Sequence, residues 1–134
     1  MTKENIEIPK GNTPEAAMAR DKIIKKSLSH LVDTTTPCSG LGNAPVLISA
    51  SSVNETAHHA AKSYRSTCAA LDIVHQIRTA KFHRMVLPKA NKRQRNMGFA
   101  FLIEMHGQYN GKTTKLMIGA RIKGDLVQYC ITAQ

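Results

Sequence analysis

Acidic residues are scarce in this chain. Nine Asp and Glu stand against 19 Lys and Arg, for a formal net charge of +10. The acids are too few and too scattered for a catalytic carboxylate pair or a divalent-metal cage. No apolar run approaches the roughly 18 residues of a membrane span. The opening MTKENIEIPKGN carries no apolar core of a secretory signal and reads as a flexible leader. GxxxxGK[ST], GxGxxG, HExxH and GxSxG are all missing, which removes the phosphate-cradling loops, the zinc-protease helix and the nucleophile elbow. Cysteine is sparse as well. Cys38, Cys68 and Cys130 are widely spaced and odd in number, with no CxxC. They are expected as buried or free thiols in a reducing compartment, the alternative being one disulfide and one free thiol. Adjacent histidines such as His58 and His59 point about 100° apart on a helix, and Cys68 with His75 lacks metal-ligand spacing. Neither a metal nor a cofactor is expected. Internal repeats and low-complexity tracts are also lacking.

What the chain does have is a strongly patterned C-terminal third. Phe99, Phe101, Ile103 and Met105 recur at every second position, then Leu116, Ile118 and Ala120, then Val127, Tyr129 and Ile131. Period-2 alternation marks strands with one face buried. Asn110-Gly111 is a strong hairpin signal between the first two strands, and Lys123-Gly124-Asp125 separates the second from the third. Residues 97–132 therefore read as an antiparallel meander, with Phe99, Phe101 and Ile103 on its covered face. Residues 81–87 add a strand before it, ended by Pro88.

Upstream, Thr13-Pro14-Glu15 combines an N-cap, a first-turn proline and a first-turn acid, so a helix is expected over about 13–32. Residues 33–45, with two prolines and two glycines, read as a loop. Val46-Leu47-Ile48 is a short buried strand or the approach to a helix. Ser52 and Glu55 have capping-box spacing, opening a helix to about 63, and an apolar stripe predicts another over about 66–80. Helices gathered before a run of strands give an α+β fold: N-terminal helices packed on one face of a C-terminal antiparallel four-stranded sheet. Residues 1–45 are the leader, helix and loop, and residues 46–134 the compact domain.

The charge is concentrated. Ten Lys and Arg lie between positions 81 and 123 against one acid, Glu104, so nearly all of the net +10 sits on the sheet. Such a field recruits polyanions, nucleic acid foremost, the alternatives being a solubilising face or a docking surface for an acidic protein. The expected nucleic-acid contacts are Arg84, Lys89, Lys92, Arg93, Arg95, Tyr109, Lys112, Arg121 and Lys123. Histidines beside this surface suit metal-independent RNA cleavage, in which a base takes the 2′-hydroxyl proton and an acid protonates the departing 5′-oxygen. The candidates are His58, His59, His83, Lys115 and Thr132. His75 and His106 are expected to be structural or exposed.

The order of elements resembles the barnase/EndoU/colicin/RelE nuclease superfamily over about residues 46–133. The features that carry the resemblance are a short Val-Leu-Ile-Ser strand, a His-bearing helix, a helix ending in Thr-Ala-Lys-Phe, Gly111-Lys112 in the hairpin and a meander closing on Tyr-Cys-Ile-Thr. It is nearest to the small domains of phage head-morphogenesis proteins, polyvalent mobile-element proteins and contact-dependent inhibition toxins. The resemblance implies a toxin RNase acting on tRNA or rRNA in the cytoplasm, of its own or of a target cell. It also implies neutralisation by an acidic immunity or antitoxin partner, and it puts His58 or His59 and Thr132 at the catalytic positions. The alternative is a non-catalytic nucleic-acid- or protein-binding module of a phage or mobile-element protein.

Overall fold

In the computed structural model, residues 7–88 and 97–134 are described. The first helix, α1 (Pro14–Leu28), begins where the capping signal put it. Thr13 has extended backbone and its hydroxyl accepts the Ala16 N–H at 3.1 Å. A 3-10 turn, Ser29–Leu31, follows. Among the described residues no helix is long and apolar enough to cross a membrane.

The expected loop at 33–45 is instead a hairpin. β1 (Thr34–Cys38) pairs antiparallel with β2 (Ala44–Ile48) around a 3-10 turn at Ser39–Leu41. Gly42 and Asn43 turn the chain there with positive φ of 66° and 63°. Pro37 faces Pro45 in the register, so the two missing amide donors lie opposite each other. The Thr-rich, Pro-containing β1 carries too little apolar alternation to be seen as a strand, whereas Val46-Leu47-Ile48 proves to be a strand, the first of its two readings.

The next helix is capped at Ser49, three residues before the expected cap. Ser49 accepts the Ser52 N–H and Ser52 accepts the Ser49 N–H, both at 3.0 Å, which closes a capping box at the head of α2 (Ala50–Ala60). The single helix expected over 66–80 is divided at Asp72 into α3 (Tyr64–Leu71) and α4 (Ile73–Thr79). β3 (Lys81–Val86), β4 (Phe99–Tyr109), β5 (Lys112–Arg121) and β6 (Leu126–Ala133) complete the chain.

The fold is α+β, but the sheet has six strands rather than four and is mixed rather than antiparallel. Its order is β1-β2-β6-β5-β4-β3, with β2 and β6 parallel. That parallel pairing is short, joining Val46 and Leu47 to Leu126 and Val127. Beyond it the outer edge of β6 is met by helices. Thr56 Oγ1 lies 3.4 Å from the Tyr129 carbonyl it can donate to and exchanges hydrogen bonds with the Gln128 side chain, and Ser66 Oγ accepts the Ala133 N–H at 2.9 Å. Side chains of α2 and α3 thus satisfy a strand edge that β2 leaves open.

The main core joins Ile24 and Leu28 of α1, Val53 and Ala57 of α2 and Ile73 and Ile77 of α4 to Val46, Ile48, Ile103, Met105, Leu116, Ile118 and Ile131 of the sheet. A second, smaller cluster holds Phe99, Leu102, Val127, Tyr129 and Cys130. Phe99 was expected beside Phe101 and Ile103. An irregularity in the β4–β5 register between Phe99 and Phe101 breaks the alternation, and Phe99 joins the second cluster instead. Its ring covers Gly119, where a Cβ would lie 2.1 Å from Phe99 Cε1.

Arg20 ties the amino-terminal segment to this body. It is fully buried, its Nε donating to the Ala61 carbonyl at 2.7 Å and its Nη1 to those of Pro9 and Gly11 at 2.9 and 2.8 Å. Arg20→Met keeps the stem but leaves the buried Ala61 carbonyl at the end of α2 without its donor. The expected loss is about 1–3 kcal/mol in urea unfolding, and a variant as stable as the wild type would refute the role.

Candidate functional site

Strand register assembles the site. β3–β4 pairing sets Arg84 opposite Glu104, β4–β5 sets Glu104 opposite Met117 and His106 opposite Lys115, and β5–β6 carries these rows on to Cys130 and Thr132. Two neighbouring cross-strand rows result, Arg84–Glu104–Met117–Cys130 and His106–Lys115–Thr132. Both lie on the face of β4 opposite Ile103 and Met105.

Two irregularities enrich that face. A register shift between Phe82 and Arg84 lets consecutive residues of β3 reach one acid. Arg84 Nε donates to Glu104 Oε1 at 3.1 Å, while His83 Nε2 lies 3.7 Å from Oε2. A second shift, at Met117/Ile118, brings Tyr129 and Cys130 together in the second cluster. His59 reaches the same face from α2. Its Nε2 is 3.5 Å from Glu55 Oε2, one helical turn back, and its ring meets Tyr129 edge-on at 5.7 Å between centroids.

These groups line a cavity of about 390 Å³ walled by His59, Arg84, Leu102, Glu104, Lys115 and Thr132, among others. Glu104 is its most enclosed charged group, with a side chain only 7% exposed. Besides Arg84 it engages His106, whose Nε2 lies 2.7 Å from Oε2. The His83 ring stacks on that of His106 at 4.0 Å and 17°. Burial pushes the Glu104 carboxyl up, but the hydrogen bonds from His106 and Arg84 and the charges of Arg84 and Lys115 outweigh it. The carboxyl is held below its ordinary range and is ionised at neutral pH.

A depressed folded-state pKa adds stability above the ordinary glutamate range and loses it as pH falls through the folded value. The melting-temperature gap between wild type and Glu104→Gln should therefore be widest at neutral pH and close between about pH 5 and 3. A gap that widened with acid would contradict the pairing.

Of the expected catalytic residues, His59, Lys115 and Thr132 share this cavity, and His83 reaches its floor through Glu104. His58 does not. It lines a separate depression with Ala17, Met18, Asp21 and Lys22 beside α1. Among the expected nucleic-acid contacts, Arg84 lies in the cavity, while Tyr109 and Lys112 line another hollow of about 280 Å³ with Tyr64, Arg65 and Cys68. Arg121 and Lys123 flank Asp125 in the β5–β6 turn, Arg121 through a two-pronged pair and Lys123 at 3.9 Å. Lys89, Lys92, Arg93 and Arg95 lie outside the described residues. Sequence reasoning missed Glu104 and His106 as site residues. The signal for Glu104 was its isolation, one acid among ten bases. Comparison of the chain with protein-family models, with curated proteins and with solved structures returned no match.

Proposed function

We propose that the cavity face of the sheet is a metal-independent site for cleaving RNA, with the helices banked on the other face. The observation that carries this reading is the enclosed, ionised Glu104 held between His106 and Arg84 on the floor of a basic cavity, with a second imidazole, His59, on its wall. Acid–base cleavage needs a proton acceptor on one side of the scissile phosphate and a donor on the other.

Glu104 takes the 2′-hydroxyl proton, and the 2′-oxygen attacks phosphorus. The bond from phosphorus to the 5′-oxygen breaks, and protonated His59 gives its proton to that leaving oxygen. The products are a 2′,3′-cyclic phosphate and a free 5′-hydroxyl. Arg84 and Lys115 stabilise the charge that builds on the phosphoryl oxygens, and the Thr132 hydroxyl supplies a further donor. His106 positions the Glu104 carboxylate, and Glu55 orients His59.

An acidic neutralising partner belongs to the same reading, supported by the net charge of +10, and with it go the toxin role and cytoplasmic site of action that the family resemblance implies. A binding module without catalysis is the second reading. Its support is the edge strand β3, where Phe82 and Met85 are more than half exposed beside Lys81 and Arg84. Total tRNA and rRNA incubated with the protein in EDTA decide between the two. Discrete fragments ending in 2′,3′-cyclic phosphate are expected. Intact RNA that is nevertheless retained by the protein would favour the binding module.

A further inference from the structure

We infer that His83, Glu104 and His106 form a binding site for a zinc-class divalent ion, and that the bound ion shuts the cavity down. One ligand atom from each residue lies within 4.8 Å of the other two. A tetrahedral zinc with bonds of about 2.0–2.1 Å needs its ligand atoms about 3.4 Å apart. The separations from Glu104 Oε2, 2.7 Å to His106 Nε2 and 3.7 Å to His83 Nε2, straddle that spacing. Closing on an ion requires the stacked His83 and His106 rings, 4.0 Å and 17° apart, to splay until both ring planes meet at the ion. His83, half-exposed on the edge strand β3, is the ring with room to turn, whereas Glu104 is anchored through its other oxygen by Arg84.

Two imidazoles and one carboxylate are a donor set for zinc, copper, nickel or ferrous iron, with a fourth position left open. The surroundings sharpen the choice. Arg84 and Lys115 repel any cation, so magnesium and calcium, which depend on charge and oxygen donors, are disfavoured. An ion held by imidazole bonds tolerates that field, and the two cations favour an anion at the fourth position. The three ligands come from β3 and β4, brought together by the register shift that lets His83 and Arg84 both reach Glu104.

Binding stands on this geometry alone. Inhibition rests on the acid–base reading given above, because the ion would take the Glu104 lone pair that receives the 2′-hydroxyl proton.

The test uses the untagged full chain. Zinc chloride titrated by calorimetry should show one saturable site per chain, with no comparable heat from magnesium. Cobalt should give the visible absorption of a four-coordinate ion. His83→Ala should weaken binding by at least on the order of 10–100-fold, the cost of losing even an outer partner of a metal ligand. Glu104→Gln should do the same, and Cys68→Ser should bind like wild type. No saturable zinc site, or full affinity in His83→Ala, overturns the site. Loss of binding in Cys68→Ser also overturns it, by moving the ion to the thiol. RNA cleavage is measured in parallel, first in EDTA and then with increasing zinc. Cleavage in EDTA that zinc abolishes in step with occupancy supports both readings. Zinc binding without cleavage in EDTA sinks the nuclease reading and leaves the site. Cleavage without zinc binding sinks the site and leaves the nuclease.

Discussion

Glu104→Gln should lower the rate of RNA cleavage by about 10²–10⁴-fold, the range general acid–base catalysis contributes. Glutamine matches the volume and can still accept the Arg84 hydrogen bond, so the change removes charge and basicity rather than shape. The variant should bind RNA with little change, because the cations around the carboxylate remain in place. Single-turnover cleavage with trace labelled RNA separates the two effects, since a loss of chemistry lowers the plateau rate at saturating protein and a loss of binding does not. Folding is controlled at neutral pH by circular dichroism. An unchanged plateau rate would remove Glu104 from the proton transfer. His106→Asn, which can still hold the carboxylate, should fall between the two and so mark His106 as a positioning residue.

His59→Ala and His58→Ala should diverge, although the two residues are adjacent. His59 lines the cavity and leans on Tyr129, so its loss should again cost about 10²–10⁴-fold. His58 lines a depression beside α1, away from the cavity, and its loss should leave cleavage essentially unchanged. The basic limb of the pH–rate profile gives a second readout. If His59 is the acid, His59→Ala flattens that limb, while His58→Ala preserves it. Equal activity in the two variants, whether both active or both dead, would end the assignment of the acid to His59. Melting temperatures of both proteins guard against loss through unfolding.

Much of the chain is local enough to be legible in its own residues. Thr13-Pro14 caps α1 because a hydroxyl and a fixed φ act within one turn. Asn110-Gly111 closes the β4–β5 hairpin because both residues take positive φ at small cost. The alternation from Phe101 to Ile131 marks strands because period 2 follows from the pleat itself. The crowding of base around a single acid was equally plain.

The rest depended on partners distant along the chain. The apolar Val46-Leu47-Ile48 run marked β2 as a candidate strand, but β1 is a strand only because it pairs with β2, and β2 reaches β6 some eighty residues on, meetings that no local pattern records. Alternation assigns a residue to one of two faces, but a register shift of one residue reverses the assignment. Such shifts moved Phe99 out of the main core and brought His83 and Arg84 together onto Glu104. His58 and His59 are indistinguishable as neighbours on a helix. What separates them is that β2 leaves the edge of β6 after two residues, so that α2 lies along that edge and turns only His59 toward the cavity. Local geometry limits each residue to a few orientations, and the choice among them is made by whichever long-range packing satisfies the most backbone donors and buries the most apolar surface.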